Sequence, residues 1–166
     1  MDRSVLMLVV LGLLVLLLAL MGLGWRARLR RQSAIAAPPA PPEGTGTGTG
    51  IGVFSARYVA TTISGDPLDR IAVHGLGFRS VATLTVTDAG VLIERPGERL
   101  WWLEAASVHG VRRATWTIDR VVESDGLHVL EWALGDQSVD SYFRLDSPGA
   151  FDTALEKMLH REASAS

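Results

Sequence analysis

The chain contains no cysteine among its 166 residues, which excludes a disulfide framework and a thiol nucleophile and fits a domain kept in a reducing compartment without excluding the outside. It also lacks a G-x-S-x-G nucleophile elbow. Its one Gly-rich stretch is not preceded by a strand and not followed by Gly-Lys-Ser/Thr, so it is a spacer and not a phosphate loop. Four histidines, His74, His109, His128 and His160, are scattered without metal-ligand spacing. Asp66 and Asp69 come nearest to a pair of carboxylates, but Gly65, Asp66 and Pro67 mark a loop. The expectation is therefore no catalytic residue, no metal ligand and no cofactor.

Charge is missing from one whole segment. Val5 to Leu23 carries none and consists almost entirely of Leu, Val, Met, Ala and Gly. As a helix it would be roughly 28 Å long, close to the hydrocarbon thickness of a bilayer. Residues 1–4 form a short flank in which Asp2 and Arg3 cancel, and the membrane helix is expected over 5–25. Immediately behind it stand Trp25, Arg26, Arg28, Arg30 and Arg31. Trp25 suits the headgroup level, and the arginines can pair with anionic lipid. Positive charge at the end of a span is retained in the cytoplasm, so this asymmetry predicts a single pass with the N-terminus outside and the C-terminal part cytoplasmic. A cleaved secretory signal is the competing reading, with Ala34-Ile35-Ala36 as its site. However, the arginines separate that site from the apolar run, and the n-region is nearly neutral.

From Ala36 to Gly52 the chain reads AAPPAPPEGTGTGTGIG, a stiff proline half followed by a flexible Gly-Thr repeat. Residues 26–52 are thus expected to be a basic neck and a linker, which leaves 53–162 as one domain large enough for a single core. Eleven Arg/Lys against sixteen Asp/Glu give that domain a net charge of −5. An acidic domain argues against nucleic acid and against a broad lipid-binding surface.

The domain is mainly β by pattern. Thr83-Leu84-Thr85-Val86-Thr87 alternates, Asp88-Ala89-Gly90 turns, and Val91-Leu92-Ile93 returns as a hairpin. Pro96-Gly97 separates this from Leu100-Trp101-Trp102-Leu103, and Ser124-Asp125-Gly126 links Arg120-Val121-Val122 to Leu127–Leu134. After Gly135-Asp136, period two puts Val139, Ser141, Phe143 and Leu145 on one face, opposite Leu130, Trp132 and Leu134. Earlier strands are expected at Phe54–Thr62 and Ile71–His74. The pattern changes at Ser147-Pro148, an N-cap and first helical residue. Phe151, Ala154, Leu155, Met158 and Leu159 then form one apolar stripe, predicting a helix over about 148–161 that closes an open end of the β unit.

Six or seven antiparallel strands closed by a C-terminal helix is the outline of a pleckstrin-homology (PH) fold. The stretches Asp69–Gly77, Ala82–Leu92, Asp125-Gly126-Leu127 to Trp132 and Leu134-Gly135-Asp136 resemble the small actinobacterial single-pass membrane proteins that carry a PH-like domain. The fold this implies is mainly β with one C-terminal α-helix, a PH-like antiparallel sandwich or open barrel preceded by a transmembrane helix. The family is often labelled as transporter or export membrane protein. Phosphoinositide-binding members of the wider fold place several Lys/Arg around the first hairpin. Thr61–Arg70 offers two aspartates and one arginine here, so no phosphoinositide site is expected.

Adjacent Trp101 and Trp102 on a strand must point to opposite faces, so at most one fills the core from that side and the other is either covered by another element or a candidate partner contact. The function expected is a membrane-anchored binding or assembly module without catalysis. Its contacts would be the bilayer through the helix, anionic lipid at the neck, and a protein partner or second copy at the cytoplasmic face. The alternatives are an extracytoplasmic envelope protein or an accessory subunit of a membrane transporter.

Overall fold

The computed structural model describes residues 2–43, 45, 50–114, 116–117, 120–121 and 126–165, and it divides into two compact units, residues 1–34 and 35–166. The turn expected at Ser124-Asp125 and most of the Gly-Thr repeat lie outside the described residues.

The first unit is one helix, α1 (Arg3–Arg31). Asp2 starts it by accepting the Val5 and Leu6 backbone N–H groups on its carbonyl oxygen, and Arg28, Arg30 and Arg31 occupy the last turn. None of its residues is buried. It is long and apolar enough to cross a membrane.

In the second unit the strands are β1 (Gly50–Ile63), β2 (Ser80–Thr87), β3 (Gly90–Glu94), β4 (Trp101–Glu104), β5 (Val108–Ala114), the short β6 (Trp116–Thr117) and β7 (Arg120–Val121), β8 (Leu127–Leu134) and β9 (Gln137–Leu145). A 3-10 turn (Ala105–Ser107) joins β4 to β5, and α2 (Pro148–Ala165) ends the chain. Seven strands form one antiparallel sheet in the order β4-β3-β2-β1-β9-β8-β5, and β6 and β7 pair separately. The long β1 serves two neighbours. Its first part pairs with β2 from Gly50 to Tyr58 and its second with β9 from Ala56 to Ile63, across a bulge after Tyr58.

The faces follow the period-two pattern. Leu130, Trp132 and Leu134 of β8 meet Val139, Phe143 and Leu145 of β9 in one core with Leu84, Val86, Val91, Ile93 and Leu103. Gly90 closes the β2–β3 hairpin at φ 157°, and a Cβ there would lie 2.2 Å from the Leu103 carbonyl oxygen, so no side chain fits. The α2 stripe is buried as its spacing requires: Phe151, Ala154, Leu155 and Met158 all belong to the core, and Phe151 meets Phe54 edge-on at 5.4 Å. The Ser147 carbonyl accepts the Phe151 N–H, which places Ser147 at the cap. The helix runs to Ala165, a turn beyond the expected end.

Two expectations change. Residues Ile71–His74 form no strand. They belong to a loop between β1 and β2 that folds back on β1 beyond the reach of β2. There Thr61 receives the Ile71 N–H on its carbonyl oxygen and donates its own N–H to Leu76, and the loop drives Ile71 and Leu76 into the core. The second unit also starts at Ile35, well ahead of Val53. The Pro39 carbonyl accepts the Trp102 N–H at 2.9 Å, and the Ile35 carbonyl lies 2.9 Å from His74 Nε2. Proline-rich chain has carbonyls to give and no N–H to satisfy, so it can cover one side of edge strand β4.

Candidate functional site

Strand order sets the two ends of the domain apart. One end holds the β2–β3 turn and the C-terminal part of α2, tied by the ion pair of Arg161 with Asp88. The other gathers the β1–β2 loop (64–79), the β3–β4 loop (95–100) and the β8–β9 turn, since Ile63 pairs with Val139 and Thr83 with Glu94. The Ser64 N–H donates to the Ser138 carbonyl and joins the first of these to the third. Segment 35–39 crosses this same end: a Cβ on Gly135 would touch Ala36 at 3.1 Å, beside the contacts to His74 and Trp102.

Arg95 pins the two long loops together. Its side chain is almost fully buried, and its guanidinium lies 3.8 Å from the Trp101 ring centroid and 4.9 Å from that of Tyr58. Nη1 donates to the Gly75 carbonyl at 3.0 Å, while Glu98 stands 3.9 Å away and Nε and Nη2 find no acceptor. Burial lowers the affinity of this guanidinium for its proton, and Tyr58 and Glu98 oppose that effect. Two aromatic faces thus add to the ion pair with Glu98. Gly75 at φ 71° follows His74 at φ 56°, so the loop reaches Arg95 through two consecutive left-handed residues, one of them not glycine.

Behind Arg95 runs a chain of buried hydroxyls. The Trp132 indole N–H donates to Ser141 Oγ (2.9 Å), which lies 2.7 Å from Thr61 Oγ1. That oxygen is 2.7 Å from the Tyr58 hydroxyl, and the hydroxyl donates to the Leu76 carbonyl at 2.6 Å. Proton counting gives one direction: each hydroxyl accepts from its predecessor and donates to the next, so each makes both its bonds. Burial pushes the Tyr58 hydroxyl well above its ordinary range, against the opposing effects of the Thr61 hydrogen bond and the charges of Arg95 and Arg70. These groups hold the loop end in shape and are buried.

The residues singled out by sequence fall as follows. Trp25, Arg26, Arg28, Arg30 and Arg31 lie together in the last turns of α1. Trp101 and Trp102 do point to opposite faces, but neither is exposed: Trp101 is 2% and Trp102 8% accessible. Trp101 packs in the core against Tyr58, edge-on at 5.3 Å, and Trp102 lies over Gly90 on a strand whose N–H is taken by Pro39. Of the two outcomes open to the second ring, cover by another element or a contact surface, Trp102 takes the first.

His74, His109 and His160 are exposed, and His128 is buried 3.2 Å from Asp152 beneath α2. Asp66 Oδ1 receives the Leu68 N–H inside the loop, as a turn residue does. Among the described residues no three of His, Cys, Asp or Glu gather as metal ligands. Sequence reasoning passed over Arg95, since an arginine before Pro-Gly reads as a solvated turn residue. Ser141 and Thr61 carried a faint signal, being polar at core positions.

The family model described as bacterial PH domain-like matches residues 35–158, from the segment against His74 to Met158 in the α2 stripe. No curated protein matches the chain.

Proposed function

Since the chain belongs to the bacterial PH domain-like family, we propose that it is a binding module held in a cell membrane by α1, contacting protein partners at the cytoplasmic face and performing no catalysis. The observation that carries this reading is a 29-residue helix with no buried residue, fused to a domain whose buried hydroxyls of Tyr58, Thr61 and Ser141 are hydrogen-bonded within its own core. An apolar cylinder without protein cover calls for lipid. The arginines at its C-terminal end support the cytoplasmic side by the positive-inside rule, and they favour anionic lipid there. Protease added to intact cells tests the side: a protected domain supports the reading, whereas digestion from outside overturns it in favour of an envelope protein.

With β4 covered, the surface that fits a protein partner is the outer edge of β5, which stands last in the sheet and pairs with β8. Unpaired backbone groups on such an edge accept an added strand, and confinement to a membrane raises the effective concentration of copies and neighbours. A single cysteine at exposed His109 provides the test by crosslinking in membranes. Capture of a second copy or a neighbour supports edge pairing, and a chain that stays uncaptured removes it.

A further inference from the structure

We propose that the side of the domain between His74 and Trp102 is a binding site for extended, proline-rich protein chain, and that residues 35–42 are its ligand supplied in cis. This segment reads IAAPPAPP, so four of its eight residues have φ fixed near the polyproline II value and carry no N–H. Residues 36–42 form neither helix nor strand. Their burial nevertheless has a period. Ile35, Pro38 and Pro41 are half-buried, and the five other residues are exposed. Three residues per turn is the repeat of polyproline II, so one edge of such a helix lies along the domain and the other two face solvent. Ile35 also packs against the core.

The contacts suit proline. The Ile35 carbonyl lies 2.9 Å from His74 Nε2, and a carbonyl only accepts, so this nitrogen carries the proton. The Trp102 N–H donates to the Pro39 carbonyl at 2.9 Å. Both bonds run from a donor on the domain to a carbonyl of the segment. A β-strand in the same place would bring N–H groups that these donors cannot satisfy, whereas a proline-rich chain brings carbonyls. Beside them, a Cβ on Gly135 would lie 3.1 Å from the Ala36 Cβ, so the β8–β9 turn admits a close chain with a small side chain. The site thus reads backbone carbonyls and an apolar residue at every third position, which selects a class of chain. Proline favours binding because it is already ordered. A short flexible tether gives the cis segment an effective concentration on the order of millimolar, so weak competitors are excluded until one is presented at a higher local concentration.

The test uses the full chain in detergent micelles, native and with Pro38→Gly and Pro41→Gly together. Ile35 is left in place because it packs against the core. The probe is a blocked synthetic peptide of residues 33–43, and its control has all four prolines replaced by alanine. Hydrogen exchange at the Trp102 amide should be at least about tenfold faster in the variant than in the native chain, and the peptide should slow it again. The peptide should bind the variant at least about tenfold more tightly than the native chain, where the cis segment competes. Unchanged exchange at Trp102 in the variant overturns the proposal, since something other than the segment then protects this N–H. Faster exchange that the peptide does not reverse overturns it as well, as does equal binding of the proline and alanine peptides. Equal binding to native chain and variant places the peptide elsewhere and also overturns it. None of these outcomes bears on α1 or on the side of the membrane.

Discussion

The two helices of this chain distribute their apolar residues in opposite ways. In α1 leucine and valine surround the whole cylinder and no residue is buried. In α2 they are confined to one stripe, and Phe151, Ala154, Leu155 and Met158 all disappear into the domain. The difference teaches that the distribution of apolar residues around a helix, more than their number, indicates what must cover it. A stripe needs another protein surface, and a full cylinder needs lipid.

Truncation should separate the two most sharply. Leu155→Ala and Phe151→Ala should each destabilise the domain by about 2–5 kcal/mol in denaturant unfolding, because a rigid core leaves a cavity. Leu14→Ala should shift the same transition by less than about 0.5 kcal/mol. A loss that small at Leu155 would mean that α2 is not part of the core. The converse experiment places an arginine in each helix. Leu14→Arg should cost about 2.5–3.5 kcal/mol in a membrane-insertion assay, and Glu156→Arg, off the stripe, should leave the domain folded.

Inside the domain, Tyr58→Phe should cost about 1–3 kcal/mol, since Thr61 and the Leu76 carbonyl each lose a buried partner. The same residue predicts a pH dependence. Its hydroxyl has a higher affinity for its proton in the folded state than in the unfolded state, whose ordinary value is 10.0. The associated stability is therefore fully present below pH 10 and declines above it, by about 1.4 kcal/mol per pH unit at most. Tyr58→Phe should lack this alkaline decline relative to the native chain, and an equal slope in both would remove Tyr58 as its source. The smallest energetic effect is expected at the neck. Neutralising Arg26, Arg28, Arg30 and Arg31 together should leave domain stability unchanged and broaden the membrane orientation seen by protease accessibility. Unchanged orientation would show that these charges do not set it.

The parts legible in the sequence are those whose physics is local or periodic. The α1 cylinder, the α2 stripe, the β2–β3 hairpin at Gly90 and the inward faces of β8 and β9 each follow from spacing, because a helix or strand repeats its environment at a known period. The PH-like order of strands entered as a resemblance and is matched by the seven-stranded sheet. What spacing could not supply is contact between residues distant in the chain. Ile71–His74 looks like a strand by composition but builds no ladder, because β2 ends its pairing at Tyr58 and the loop meets β1 only through a few bonds at Thr61 and Thr62.

The same limit applies at the loop end. Composition identifies 36–52 as proline followed by Gly-Thr, and nothing in it specifies that Pro39 will meet Trp102. Period two states that Trp101 and Trp102 point apart but not that both will be covered, one by Tyr58 and Arg95 and the other beside the proline segment. Those outcomes depend on which loops share an end of the sheet, a property of strand order. The long apolar helix α1, the terminal helix and the alternation of the strands were therefore settled by residue pattern alone. The burial of Trp101 and Trp102, the aromatic seat of Arg95 and the exposure of Phe78 and Leu100 were decided by tertiary structure, since burial depends on what the fold brings against each residue.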